Sequence, residues 1–266
     1  SFPEAFLVGY ADWYFRDEAE TRYPLSTMPD IPLAPRNIRN TLQAKNFFDC
    51  NCHFTTTEWQ REQYPEGMRG FISVLRKCVD TEFFAPAPAS RFSFGDCELT
   101  ERQEIVTLSV RDAARLREGG FWCELPSLLS ARPDCHVVLI STGKEVRLDS
   151  LRESMAAFPS GMRGRIHLLD FLPPGAYRDL LCVSSLHLCK DISFMLPSEL
   201  LEAMSCGCVV LAPDTGAVRE VLSDGQNGFL YPSGRRMNWV MLITLLLERR
   251  SELLSIRRNE IGRAHV

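Results

Sequence analysis

The sequence predicts an α/β fold, a doubly wound parallel sheet preceded by the tail of a second α/β domain. Three observations predict it. From about Glu104 onward, short apolar runs alternate with longer helix-like segments, the pattern a parallel sheet with crossover helices leaves along a chain. Six such runs at this spacing fill one doubly wound domain. With 266 residues, 45% of them hydrophobic and 24% charged, the chain is long and apolar enough for one large core or two ordinary ones.

The strand candidates are Ile105 to Val110, Cys135 to Ser141, Ile166 to Leu172, Leu186 to Cys189, Cys208 to Ala212 and Gly228 to Tyr231. Helices are expected between them, over Phe121 to Ala131, Asp149 to Phe158, Pro174 to Val183, Ser198 to Cys206 and Ala217 to Ser223, each crossing over right-handedly. Before Gly95 the pattern is less regular. Phe6 to Phe15, Cys52 to Thr56 and Phe71 to Leu75 read as strands, with helices near Ile38 to Phe48 and Glu58 to Tyr64. The stretch Pro86 to Cys97 is the most linker-like, with prolines and small polar residues. The expected division is therefore 1–95, the closing part of one domain plus a linker, then 96–260, a second domain. The ending IGRAHV, 261–266, reads as a non-native tail, and Ser1 begins inside an apolar segment, so the chain reads as an internal piece of a longer protein.

A formal net charge of -4 without a dominant Lys/Arg face argues against nucleic acid as the main partner. Ten cysteines are scattered, several inside apolar runs, which fits a reducing cytoplasm rather than a disulfide framework. Cys50-x-Cys52-His53 lacks a second ligand pair at zinc-like spacing, so no metal is expected. The stretch Trp239 to Leu247 is too short to span a bilayer and reads as a core-facing helix.

In an open parallel sheet, ligands bind outside the carboxyl ends of the strands. The loop after the first strand of the second domain places Arg111, Arg115 and Arg117 just before Gly119-Gly120 and a helix start. Guanidinium forks and free helix N–H groups there suit phosphate, although a solvated basic loop would look the same. The loop Lys190 to Pro197 leads into a helix that Ser198 can cap. On that helix Leu200, Leu201, Ala203 and Met204 form the buried stripe and Glu202 lies roughly opposite, either solvated or directed into a cleft. After the next strand, Asp214 or Thr215 can cap a helix and Gly216 allows a close approach by backbone or ligand. Asp224-Gly225-Gln226-Asn227-Gly228 is a turn suited to positive φ.

The ordered run SELLEAMSCGCVVLAPDTGAVREVLSDGQNGFLYP resembles the donor-binding half of glycosyltransferase family 4 enzymes. A second set upstream, Gly9-Tyr10-x-Asp12-Trp13-Tyr14-Phe15, Thr57-x-Trp59-Gln60-Arg61, Tyr64-Pro65, Ile72-Ser73-Val74 and Val79-Asp80-Thr81, is similar to the end of the N-terminal domain in a bacterial subgroup. The resemblance implies the GT-B type, two Rossmann-like domains with a nucleotide-sugar held mainly by the C-terminal one. It also implies transfer with retention of configuration and without a bound metal, so that cationic side chains and helix N-termini stabilise the leaving diphosphate. Carried over by position, Glu202 is the second acid of the E-x7-E motif and is expected at the donor ribose. Arg111 and Arg117 are expected at the diphosphate. The segment Phe194, Met195 and Leu196 is expected near the sugar, with Asp214, Thr215 and Gly216 in the family's D-x-G turn. Phe194 stands where the parent family has its first Glu, as in the bacterial subgroup.

The reading is thus a retaining glycosyltransferase using a nucleotide-sugar as substrate, with no cofactor, and a glycan, lipid or protein as acceptor. It is expected in the cytoplasm, leaves peripheral membrane contact open, and predicts no transfer by this chain alone. The alternative is a non-catalytic nucleotide-binding or scaffolding module of the same shape.

Overall fold

A computed structural model describes residues 5–14, 33–87, 89–118, 120–143, 147–190, 195–232 and 237–249, with the side chains of 33–36, 115 and 118 left aside. The chain divides into two compact units: 1–78 with 192–197 and 214–221, and 79–191 with 198–213 and 222–266.

In the first unit, β1 (Val8–Tyr10), β2 (Cys52–Thr55) and β3 (Ile72–Val74) form a parallel sheet in the order β1-β2-β3. Helix α1 (Leu33–Asp49) links β1 to β2, and α2 (Glu58–Glu62) and α3 (Glu66–Arg69) link β2 to β3. The strands are shorter than the apolar runs suggest: β1 keeps three residues of the Phe6 to Phe15 run, and β3 loses both ends of its own. Ala11, Tyr64 and Ile72 make the core, flanked by Tyr14, Phe47 and Met68. Thr57 caps α2, its hydroxyl accepting from the Gln60 amide at 3.1 Å.

The second unit opens with a hairpin, β4 (Arg91–Phe94) and β5 (Cys97–Thr100). The stretch 86–97, read from the sequence as a linker, lies within this unit, and the division falls between Cys78 and Val79. Gly95, at φ +52°, makes the two-residue turn with Asp96. Phe92 and Leu99, paired across the hairpin, point inward onto Ile105, Val138, Ile140, Leu180 and Val183.

Next come β6 (Glu104–Val110), α4 (Ala113–Glu118), α5 (Gly120–Ala131), β7 (Cys135–Ser141), α6 (Asp149–Met155), α7 (Ser160–Arg163), β8 (Ile166–Leu169), α8 (Pro174–Val183), β9 (Leu186–Leu188), α9 (Ser198–Ser205) and β10 (Val209–Pro213). Beyond them lie α10 (Gly216–Arg219), which belongs to the first unit, β11 (Phe229–Tyr231) and α11 (Trp239–Glu248). The six strands form one all-parallel sheet in the order β11-β10-β9-β6-β7-β8. Strand order therefore reverses between β6 and β9, the topological switch point of a doubly wound sheet.

Alternation along β6 sorts its side chains onto the two faces. Val106, Leu108 and Val110 join Phe121, Leu125, Leu129, Ile243 and Leu247 under α5 and α11. Ile105 points the other way, onto Leu180 and Val183 of α8. Both faces are covered, which is why these strands read as near-continuous apolar runs. Arg165 ties the end of α5 to the start of β7, donating to the carbonyls of Leu129 and Arg132 at 3.0 and 3.1 Å, which a helix end leaves orphaned, and to that of Cys135 at 3.4 Å. Glu124 in turn accepts from the Trp239 and Val240 amides at the start of α11, at 2.7 and 3.3 Å.

A largely buried ion pair ties α5 to the sheet. Arg132 Nε donates to Glu104 Oε2 at 3.0 Å, and its Nη2 reaches Oε1. Removing Glu104 takes both short hydrogen bonds from Arg132 and leaves it the longer pair with Glu248 at 3.8 Å, so Glu104→Ala is expected to destabilise the chain by about 2 kcal/mol. Urea denaturation checks this, and an unchanged midpoint would show that the pair contributes nothing. Among the described residues, no helix is long and apolar enough to cross a membrane.

Candidate functional site

The switch point between β6 and β9 is where the second unit offers a binding crevice. Strand β6 ends at Val110, so Arg111 is the first residue beyond its carboxyl end. Asp112 then turns the chain into α4, its carboxylate accepting from the Ala114 amide at 3.0 Å. Arg117 lies on α4 with an exposed side chain. Arg111 is itself exposed, and its guanidinium stands 3.4 Å from the Glu199 carboxylate on the first turn of α9. Glu199 is the more enclosed partner, its side chain 14% exposed against 43% for Arg111.

Helix α9 buries Leu200, Leu201, Ala203 and Met204, the stripe that the helical wheel predicts, and Ser205 besides. Glu202 is half-buried, so the fully solvated reading of this residue does not hold. On the neighbouring helix α8, the Tyr177 hydroxyl is buried and makes no hydrogen bond among the described residues. Burial, and after it the carboxylates of Glu199 and Glu202, holds this phenol well above its ordinary pKa. The Tyr177 hydroxyl therefore keeps its proton, within reach of the charges of both carboxylates. Ser109, on the face of β6 that points toward α8, is the side chain that partly eases this shift. Arg111, Glu199, Glu202 and Tyr177 thus form one polar cluster at the switch point. An open groove of about 830 Å³ between α5 and α11, lined by Glu124, Met241 and Leu245 among others, contains none of these residues.

Met195, Leu196, Asp214, Thr215 and Gly216 belong to the first unit, and each has a role there. Met195 sulfur accepts from the Tyr10 hydroxyl at 3.1 Å, and Leu196 is buried. Asp214 pairs with Arg219, one oxygen 2.7 Å from Nη2. Thr215 caps α10, its hydroxyl 3.4 Å from the Val218 amide. Gly216 faces the Trp59 indole so closely that a Cβ would lie 2.0 Å from Cδ1. Glu220, at the end of α10, accepts from the Glu58 and Trp59 amides of α2 at 3.1 and 2.6 Å. Phe194 lies outside the described residues. Sequence reasoning passed over Glu199 and Tyr177. The available signal was spacing, since Glu199 sits one helical turn before Glu202.

Comparison with known proteins places the chain as a whole. A model of "Glycosyl transferase family 4 group" matches residues 1–84, and one of "Glycosyl transferases group 1" matches residues 121–249, together most of the chain. The chain belongs to the family 4, group 1 glycosyltransferases. Alpha-maltose-1-phosphate synthase of Mycobacterium tuberculosis is 27% identical over 169 residues, covering 63% of this chain and 43% of that protein. Phosphatidyl-myo-inositol mannosyltransferase of Mycolicibacterium smegmatis is 30% identical over 154 residues, covering 58% and 37%. The chain thus spans about two fifths of the length of these relatives. Among solved structures, Anabaena HepE in complex with UDP and glucose matches with a TM-score of 0.68 at 16% identity, over 97% of this chain and 66% of that one. Sucrose-phosphate synthase from Thermosynechococcus elongatus matches at 0.64 and 15%, over 90% and 60%. These likenesses establish the fold of this chain as α/β of the GT-B type, with Rossmann-like parallel sheets.

Proposed function

We propose that this chain is the nucleotide-sugar-binding part of a retaining glycosyltransferase that passes a sugar from a nucleotide diphosphate donor to a glycan, lipid or protein acceptor. The observation that carries the reading is the switch-point cluster, with a guanidinium immediately beyond β6 and a half-buried carboxylate on α9. Arg111, with Arg117 on the next helix, meets the charge that gathers on the diphosphate as the glycosidic bond breaks. In this reading no metal supplies that charge. Glu202 accepts hydrogen bonds from the two ribose hydroxyls, a contact that a carboxylate makes bidentately. Donor binding is assigned to about 96–260, and the first unit is the acceptor-side domain's closing part. A cytoplasmic site of action completes the proposal.

Titration calorimetry of the chain with UDP, GDP and ADP tests the binding half. One of them is expected to bind. Arg111→Ala and Glu202→Ala are each expected to weaken it by roughly tenfold or more, the scale of a hydrogen bond to a charged group. Absence of binding by all three, or unchanged affinity in both variants, would overturn the reading. Transfer is expected only from a longer protein that carries the rest of the acceptor side, and turnover by this chain alone would contradict that. A second reading, a nucleotide-binding module without transfer, is favoured by Phe194 at the motif's first acidic position. Nucleotide binding by the longer protein with no turnover on any acceptor pool would select it.

A further inference from the structure

Resting on that reading, we propose that Glu199 is a built-in competitor of the donor diphosphate, holding Arg111 before the donor binds and passing to the Tyr177 hydroxyl once the diphosphate takes the guanidinium. Arg111 can meet a solute, being the more exposed of the pair, but its charge is already faced by Glu199 at 3.4 Å. A second anion arriving there must contend with that carboxylate, because two like charges around one guanidinium repel each other through a partly dehydrated medium. Glu199 itself has little water, at 14% exposure. Turning Arg111 away from it weakens one favourable interaction of a largely enclosed charge, which is costly.

The structure holds a donor ready for it. The Tyr177 hydroxyl is buried, has no hydrogen-bond partner among the described residues, and lies where the charges of Glu199 and Glu202 both reach it. With only the neutral Ser109 hydroxyl acting on it, the Tyr177 O–H gains a stronger, charged acceptor if Glu199 turns to it. Arg111 turns to the diphosphate and Glu199 accepts from Tyr177, while Glu202 stays available for the ribose. The cost of donor binding is then set by Glu199, and it grows with the negative charge of the ligand.

The test is calorimetry on the chain with the tightest binder among UDP, GDP and ADP, alongside its monophosphate and its nucleoside. Glu199→Gln is expected to tighten the diphosphate about fivefold, the monophosphate less, and to leave the nucleoside unchanged. Glu199→Ser, which removes the charge with a different shape, is expected to behave alike. Tyr177→Phe is expected to weaken the diphosphate about threefold while Glu199 is present and to have no effect in the Glu199→Gln background, a non-additivity that marks direct coupling. A packing defect would affect the nucleoside equally and would persist in the double variant. Unchanged or weaker diphosphate binding in Glu199→Gln, with Arg111→Ala still weakening it, overturns this inference and leaves the proposed function standing. Equal losses from Tyr177→Phe in both backgrounds overturn the switch. If Arg111→Ala changes nothing, both proposals fall together.

Discussion

Lowering the pH from 7 toward 4 is expected to remove several kcal/mol of stability from this chain, well before most carboxylates are protonated. Two histidines of the six-stranded sheet carry the effect. His187, in the middle of β9, is fully buried with its Nδ1 2.9 Å from the Thr107 hydroxyl and its Nε2 without a partner among the described residues, and burial lowers its pKa to about 4. His167 on β8 is also buried, its Nε2 2.9 Å from His136 Nδ1, and burial, with the charge of His136 second, lowers its pKa to about 4. Between such nitrogens one must donate and the other accept, an arrangement that double protonation destroys.

Proton counting gives the direction. In the unfolded chain each ring titrates near 6.5, whereas the folded chain resists protonation until about 4. Their contribution is complete above the unfolded value and is lost as pH falls through that window, at up to about 1.4 kcal/mol per pH unit for each ring. Two rings together approach the whole stability of an ordinary domain. Urea midpoints at a series of pH values from about 7 to about 4.5 measure it. His187→Gln, whose amide can still bond Thr107, is expected to flatten the slope by about half. A midpoint that does not move between pH 7 and 5 would refute the account.

These rings also show what the sequence could and could not convey. The six strands were legible because burial on both faces leaves apolar runs, and His187 and His167 merely interrupt two of them. Strand ends were less legible, since apolar residues continue past the last ladder bond. The run starting at Ile166 stops pairing at Leu169, before Asp170 and the pair Pro173-Pro174 that opens α8. The hairpin at Arg91 to Thr100 was hidden by neighbouring prolines, although Gly95-Asp96 is itself a turn signal. Within the cluster, Arg111 was legible because a doubly wound topology puts the loop beyond its first strand at the mouth of the crevice. Glu202 was legible only as an ambiguity, because a helical wheel reports which face is apolar and says nothing of what stands opposite. Tyr177 reaches the same place from a different helix, so no spacing within one element could have reported it.

Gly216→Ala is expected to cost about 3 kcal/mol or more, the upper range of an overpacked site. A Cβ at this position would lie 2.0 Å from Trp59 Cδ1 and 2.3 Å from Nε1, so one of the two must retreat. The indole is packed against Trp13 at 4.8 Å between ring centroids, and the Trp59 amide is held by Glu220 at 2.6 Å. Helix α10 is equally fixed, with Thr215 capping its start and Glu220 tying its end to α2. Gly175→Ala, on α8 with nothing within 4 Å of the added carbon, is the matched control and is expected to be neutral or stabilising by less than about 1 kcal/mol. Placed in a Trp59→Leu background, Gly216→Ala should lose most of its cost, because the clash is with the indole. The same measurement decides why this glycine stands in the Asp214-Thr215-Gly216 turn. A glycine required by the chain's own tryptophan loses stability on substitution whether or not nucleotide is present. One kept clear for a ligand would lose nucleotide affinity while the denaturation midpoint stayed where it was, and that outcome would return Gly216 to the donor site.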